Sequence, residues 1–136
     1  MFEKIFSGTK YLEKGIDSAV LRNQVIQNNI ANAETPNFKS SSVEFETIFQ
    51  NALANNMSDF KTKRTRDKHI DFSESLDGVD GVVVSNDITT HRMDGNNVDI
   101  DFQNVQLARN QLYYDALIEK MNSEFRRLKM AIREGG

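Results

Sequence analysis

Two arrays of apolar residues at heptad spacing, one at each end, constrain what this chain of 136 residues can fold into. From Ile5, steps of four and three residues alternate through Thr9, Leu12, Ile16, Ala19, Asn23, Ile26 and Ile30 to Ala33, and seven of these nine positions are apolar. A mean spacing of 3.5 residues keeps them on one seam of a slightly underwound helix, which is the pattern of coiled-coil packing. The spacing predicts a helix over 7–33. The second array runs Ile100, Asn104, Leu107, Gln111, Tyr114, Ile118, Met121, Phe125, Leu128 and Ile132, with eight of ten apolar. Neither proline nor glycine interrupts 96–134, and Gly135-Gly136 extends a helix poorly, so a second helix is predicted over 99–133.

Each helix would be about 40 to 50 Å long at 1.5 Å per residue, more than the width of a small globule. The expected fold is therefore mainly α, with the two terminal helices forming an antiparallel coiled-coil hairpin. Three stretches divide the chain: 1–35 as the N-terminal helix, 36–95 as a turn and irregular middle, and 96–136 as the C-terminal helix, with both ends building one structural domain. In the middle, Phe45, Ile48, Phe49, Ala52 and Leu53 have the spacing of a short amphipathic helix. Gly81 to Val84, followed by Ser85-Asn86-Asp87 and Ile88, suggests a short strand or β-hairpin, with Asp77-Gly78 and Asp94-Gly95 as turns.

The C-terminal array has more apolar surface than one partner helix can cover. Val105, Ala108, Leu112, Ala116 and Leu117 fall off the main seam, so apolar side chains face several directions between 105 and 118. Neighbouring subunits are expected to cover them, with helix ends that order on assembly. Thr9, Asn23, Asn104 and Gln111 interrupt the two arrays with polar groups. A buried amide must find a partner, so these residues are candidates for setting helix register, the alternative being partly exposed positions.

The chain has no cysteine, which removes disulfides, thiol nucleophiles and thiolate metal sites. A net charge of -3 gives no overall attraction to nucleic acid or an anionic membrane. Glu3 and the lack of an apolar stretch after it argue against a cleaved signal peptide, and no run is long enough to span a bilayer. His69 and His91 are the only histidines, and neither has a second histidine at i+3 or i+4, so solvated loop positions are expected for both. No nucleophile-elbow, P-loop or dinucleotide fingerprint is present, and a calcium loop starting at Asp94 meets Val105 where glutamate is needed. The expectation is a protein that is not an enzyme and has no cofactor or metal. Lys61 to Lys68 holds five basic residues in eight. A solvated loop or a contact with an acidic partner surface is expected there rather than nucleic-acid binding, since only Phe60 is close enough to stack on a base.

The most distinctive local motif follows the first helix. Asn28-Asn29-Ile30-Ala31-Asn32-Ala33-Glu34-Thr35-Pro36-Asn37-Phe38-Lys39 ends the heptad periodicity, and the residue before Pro36 is pushed out of the helical basin. Pro36 followed by Asn37 suits a type II turn, whose second central residue has positive φ. Asn28, Asn29, Asn32 and Asn37 supply amides that can cap helix carbonyls and the turn.

Ile30 to Lys39 resembles the Ala-Asn-x-x-Thr-Pro-Gly-Tyr-like motif of the flagellar axial rod and hook protein superfamily, with Asn37 in place of its usual glycine. The similarity extends to Asp94-Gly95-Asn96-Asn97-Val98-Asp99-Ile100-Asp101, to Leu107-Ala108-Arg109-Asn110 with Tyr113-Tyr114, and to the ending Phe125 to Ile132. Short length and both motifs together are most similar to the proximal rod proteins of the bacterial basal body, over 1–50 and 90–134. The resemblance implies export through the flagellar type III route and helical polymerisation into a rod that links the membrane ring to the hook and transmits torque. Implied partners are further copies of the chain, other rod proteins, the ring adaptor protein and the export apparatus, with no membrane insertion. The assembly motif would comprise Asn29, Ala31, Asn32, Thr35, Pro36, Asn37 and Phe38. The packing seam would comprise Ile5, Leu12, Ile16, Ile26, Ile30, Ile100, Leu107, Tyr114, Ile118, Met121, Phe125, Leu128 and Ile132. The rival reading is a non-flagellar coiled-coil scaffold or a secretion-system structural component.

Overall fold

The computed structural model describes residues 2–57, 79–87 and 93–134, with side chains over 9–51, 79–87 and 93–133. The basic cluster Lys61–Lys68, His69, His91, Ile88, the Asp77-Gly78 turn and the side chains of Ile5, Ala52 and Leu53 lie outside the described residues. Five elements follow one another: α1 (Phe2–Ala31), β1 (Ser41–Glu44), α2 (Glu46–Met57), β2 (Val82–Ser85) and α3 (Ile100–Glu134).

The first helix starts earlier than its heptad pattern predicts and stops two residues sooner. Its end is set by side-chain competition: Asn32 Nδ2 donates to the Asn28 carbonyl at 2.9 Å, and the Asn32 N–H is shared between the carbonyls of Asn28 (3.1 Å) and Asn29 (3.2 Å). Such local bonds offer the backbone an alternative to further helix. The third helix begins where Asp99 caps it, its carboxylate accepting from the Phe102 N–H at 3.1 Å.

Contacts between α1 and α3 run in antiparallel order. Asn29 meets Gln103, Ala19 meets Asn110, and Gly15 lies against Leu117. A β-carbon on Gly15 would be 3.2 Å from Leu117 Cδ1, so this position brings α3 close to the α1 backbone.

On another flank of α1, Val43, Phe45 and Val79 form the buried apolar cluster, with Leu21, Val25, Ile48 and Phe49 packed on it. The rings of Phe45 and Phe49 stack at 5.1 Å, and Tyr11 meets Phe49 edge-on at 5.9 Å. Two ion pairs join this cluster to α1: Arg22 with Glu46 at 2.6 Å and Lys14 with Asp80 at 2.8 Å. The expected short helix is α2, and Glu46 in its first turn suits the positive end of the helix dipole.

The valine run does form a strand, but its partner is distant. β2 pairs antiparallel with β1 in the register Ser41↔Ser85 to Glu44↔Val82. Ser41-Ser42-Val43-Glu44 carries one apolar residue and gives little strand signal of its own. Gly81 leads into β2 at a point where a β-carbon would lie 3.0 Å from Val43 Cγ1 and 3.1 Å from Leu21 Cδ2. No helix among the described residues is long and apolar enough to cross a membrane.

Candidate functional site

The turn after α1 is built from side-chain amides. Asn29 is buried and uses both ends of its side chain on one residue, accepting from the Ser41 N–H at 3.0 Å and donating to the Ser41 carbonyl at 2.7 Å. That pair mimics a strand neighbour and holds the start of β1 on α1. The Thr35 N–H donates to the Asn32 carbonyl at 3.0 Å, and Thr35 Oγ1 donates to Asn32 Oδ1 at 3.3 Å. Across Pro36-Asn37 the Phe38 N–H reaches the Thr35 carbonyl at 3.3 Å, and Asn37 has φ of 59°. Positive φ at this position is the type II signature, and asparagine adopts it more readily than other non-glycine residues.

A second loop, 94–98, closes on the first. The Asn37 N–H donates to the Asp94 carbonyl at 2.9 Å, and Lys39 Nζ donates to the Gly95 carbonyl at 2.8 Å. Gly95 has φ of 81°, a conformation that favours glycine, and a β-carbon there would lie 2.6 Å from Asn37 Oδ1, so that side chain would have to shift. Asn96 is 0% exposed. Its Nδ2 donates to the carbonyls of Asn32 (3.0 Å), Ala33 (3.0 Å) and Thr35 (2.8 Å), and its Oδ1 accepts from the Val98 N–H at 2.7 Å. One side chain thus satisfies carbonyls left over at the end of α1 while shaping the approach to α3.

Asn97 does the same for the sheet. Its Oδ1 accepts from the Ser40 N–H at 2.7 Å and its Nδ2 donates to the Asn86 carbonyl at 2.8 Å, while the Asn86 N–H donates to the Ser40 carbonyl at 2.9 Å. The β1–β2 ladder is thereby extended by an inserted amide.

Of the motif residues singled out in the sequence, Asn29 is buried, Asn32 and Phe38 are half-buried, and Ala31, Thr35, Pro36 and Asn37 are exposed. Of the motif's amides Asn29 alone is fully buried, and the turn presents Ala31, Thr35, Pro36 and Asn37 outward. Gly95, Asn96 and Asn97 carry part of the family resemblance but are not among the assembly-motif residues expected from the sequence. The signal that could have found them is the Asn-Asn pair after Asp-Gly, a polar dipeptide where a helix should be starting.

Along the seams, Ala19, Ile26 and Ala33 are buried, and Leu12, Ile16 and Ile30 are half-buried. On α3, Leu107, Tyr114, Ile118, Met121 and Leu128 are half-buried, whereas Ile100, Phe125 and Ile132 are exposed. Asn104 and Gln111 face solvent and Thr9 and Asn23 are half-buried, so the fully buried polar groups between the helices are others, chiefly Asn29, Gln103 and Asn110. The helix has turned so that amides face α1. Leu112 is 71% exposed and Phe102, Val105 and Met130 are more than half exposed. A groove of about 500 Å³ runs between Arg22, Val43, Phe102, Arg109 and Tyr113, open along one side. Among the described residues no three histidines, cysteines or carboxylates gather as a metal cluster.

Polar side chains devoted to the chain's own backbone, beside a long helix with apolar side chains turned outward, define a helical packing subunit. No family model matches the chain. It is 41% identical over 132 residues to the flagellar basal body rod protein FlgB of Bacillus subtilis, covering 96% of this chain and 98% of that protein. The FlgB of Borreliella burgdorferi is 32% identical over 121 residues, covering 87% and 90%, and that of Aeromonas hydrophila 29% over 132 residues, covering 97% and 95%. The chain belongs to the flagellar basal body rod protein FlgB family.

Proposed function

We propose that this chain is a structural subunit of the proximal rod of the bacterial flagellar basal body, polymerising with copies of itself and other rod proteins to carry torque from the membrane ring to the hook. The observation that carries the reading is the outward apolar surface of α3, with Leu112 71%, Ile132 65% and Phe125 52% exposed in the single chain. Phe125 and Ile132, seven residues apart, share one stripe of α3 and Leu112 lies on another, and exposed apolar side chains on a long helix mark surfaces for neighbours to cover. In the rod, α1 and α3 act as an antiparallel coiled-coil hairpin whose free face is covered by neighbours. Helices packed along a rod resist twist because sliding one past another strips many contacts together. A heterologous interface that does not close generates a filament, the symmetry a rod requires.

The ring adaptor protein is the partner at the base, and the outward surface of the turn, Ala31, Thr35, Pro36 and Asn37, braces adjacent subunits. Delivery is through the flagellar type III apparatus. The test is complementation of a strain lacking the gene with Leu112→Glu/Phe125→Glu. Both side chains are solvent-exposed in the single chain, so its helical circular dichroism is expected to stay unchanged while swimming and rod assembly are lost. Normal motility with that variant would overturn the reading.

A further inference from the structure

Asn96, Gln103 and Asn110 stand at intervals of seven residues, and each is buried, at 0%, 8% and 4% exposure. Seven residues return a helical side chain to the same stripe, so Gln103 and Asn110 share one line on α3, and Asn96, in the loop just before the helix, adds a third amide at the same end. Each reaches the first helix or its end. Asn96 Nδ2 donates to the carbonyls of Asn32 and Ala33 at 3.0 Å, Gln103 Oε1 accepts from Asn29 Nδ2 at 3.3 Å, and Asn110 Nδ2 donates to the Ala19 carbonyl at 2.8 Å. The next position in the line is Leu117, against Gly15. The groups on α1 that receive this column run in the reverse order along the chain, as antiparallel helices demand.

We propose that this amide column sets the register in which α1 and α3 pair. Apolar contacts tolerate sliding because one methyl replaces another with little change in buried area. Buried amides do not, since each one moved off its partner keeps the cost of desolvation without the bond. A slide of three or four residues turns the amides onto apolar positions. A slide of a whole heptad removes Asn96 from the carbonyls ending α1 and brings Glu124 or Asn110 to Gly15, where the apolar side chain of Leu117 packs in the native register. Asn110 already leaves its Oδ1 without a partner among the described residues, so its single bond to Ala19 is the one that a slide would lose. The column also accounts for the outward position of Asn104 and Gln111 in the heptad array: with Gln103 and Asn110 inside, these neighbours face solvent, as do Phe102, Val105 and Leu112. The register does not rest on the rod reading.

The chain has no cysteine of its own, so register can be read by disulfide formation in the full-length protein. One variant carries Gly15→Cys with Leu117→Cys, and a second carries Gly15→Cys with Glu124→Cys. With the column intact, the native pair is expected to oxidise at least about tenfold faster than the slipped pair, the factor that the loss of one buried hydrogen bond sets. With Gln103→Leu and Asn110→Leu added, that preference is expected to fall about tenfold while helical circular dichroism is retained. An unchanged preference in the apolar background overturns the proposal. If the double substitution loses helical signal, Asn110→Leu alone is tested with the same two cysteine pairs: a reduced preference supports the proposal and an unchanged one overturns it. Swimming of the Leu112→Glu/Phe125→Glu strain is independent of this measurement, so failure of the register proposal and failure of the rod reading are told apart.

Discussion

Asn96 makes the clearest residue-scale case, because one buried side chain serves the carbonyls of Asn32, Ala33 and Thr35. Asn96→Ala leaves these carbonyls without the amide and should destabilise the fold by about 3 kcal/mol, read by urea denaturation. Asn96→Asp should be as damaging, since a carboxylate cannot donate to a carbonyl. Gly95 gives a prediction with a built-in control. Gly95→Ala meets Asn37 Oδ1 at 2.6 Å and a φ of 81°, and should cost about 1 to 2 kcal/mol. Adding Asn37→Gly removes the clashing atom and keeps a residue at ease with positive φ, so part of that loss should return in the same denaturation assay. Full recovery would mean that the clash alone required glycine. No recovery would mean that the backbone conformation alone did.

Between elements, the two flanks of α1 differ in chemistry. One packs apolar side chains under β1 and α2, and the other holds α3 through amides. Phe45, stacked on Phe49 and buried, anchors the apolar flank, and Phe45→Ala should cost about 3 to 5 kcal/mol in thermal or urea unfolding. Leu112→Ser on the open side of α3 should change stability by no more than about 0.5 kcal/mol in the same measurement, since that side chain has little contact to lose. The strand β1 illustrates how an element can be invisible in sequence. Ser41 is held by Asn29, Ser40 by Asn97, and Val43 by the cluster with Val79, so partners rather than propensity make it extended.

At the scale of the whole molecule, the helices differ in how much cover they receive. Contacts near the turn combine amides, the sheet and the apolar cluster, whereas Phe125, Met130 and Ile132 near the end of α3 are exposed. Amide hydrogen exchange in dilute protein should therefore be slowest between Ala19 and the turn and fastest over 125–133, with protection of the latter rising on assembly with rod partners. Equal protection along α3 in dilute protein would contradict this.

Heptad spacing by itself determined that long helices stand at both ends, because period is a property of the chain that survives without any partner. Pro36-Asn37 likewise announced its own turn, since the conformational limits that make it act within a few residues. Which face of α3 lies inward was not local. The roles of Gln103 and Asn110 emerge only when Asn29 and the Ala19 carbonyl are placed opposite them, and the same holds for Asn96 and Asn97 with the carbonyls and N–H groups they serve. Spacing alone does not say which carbonyl or N–H, tens of positions away, an amide will meet, so only the tertiary structure could decide it.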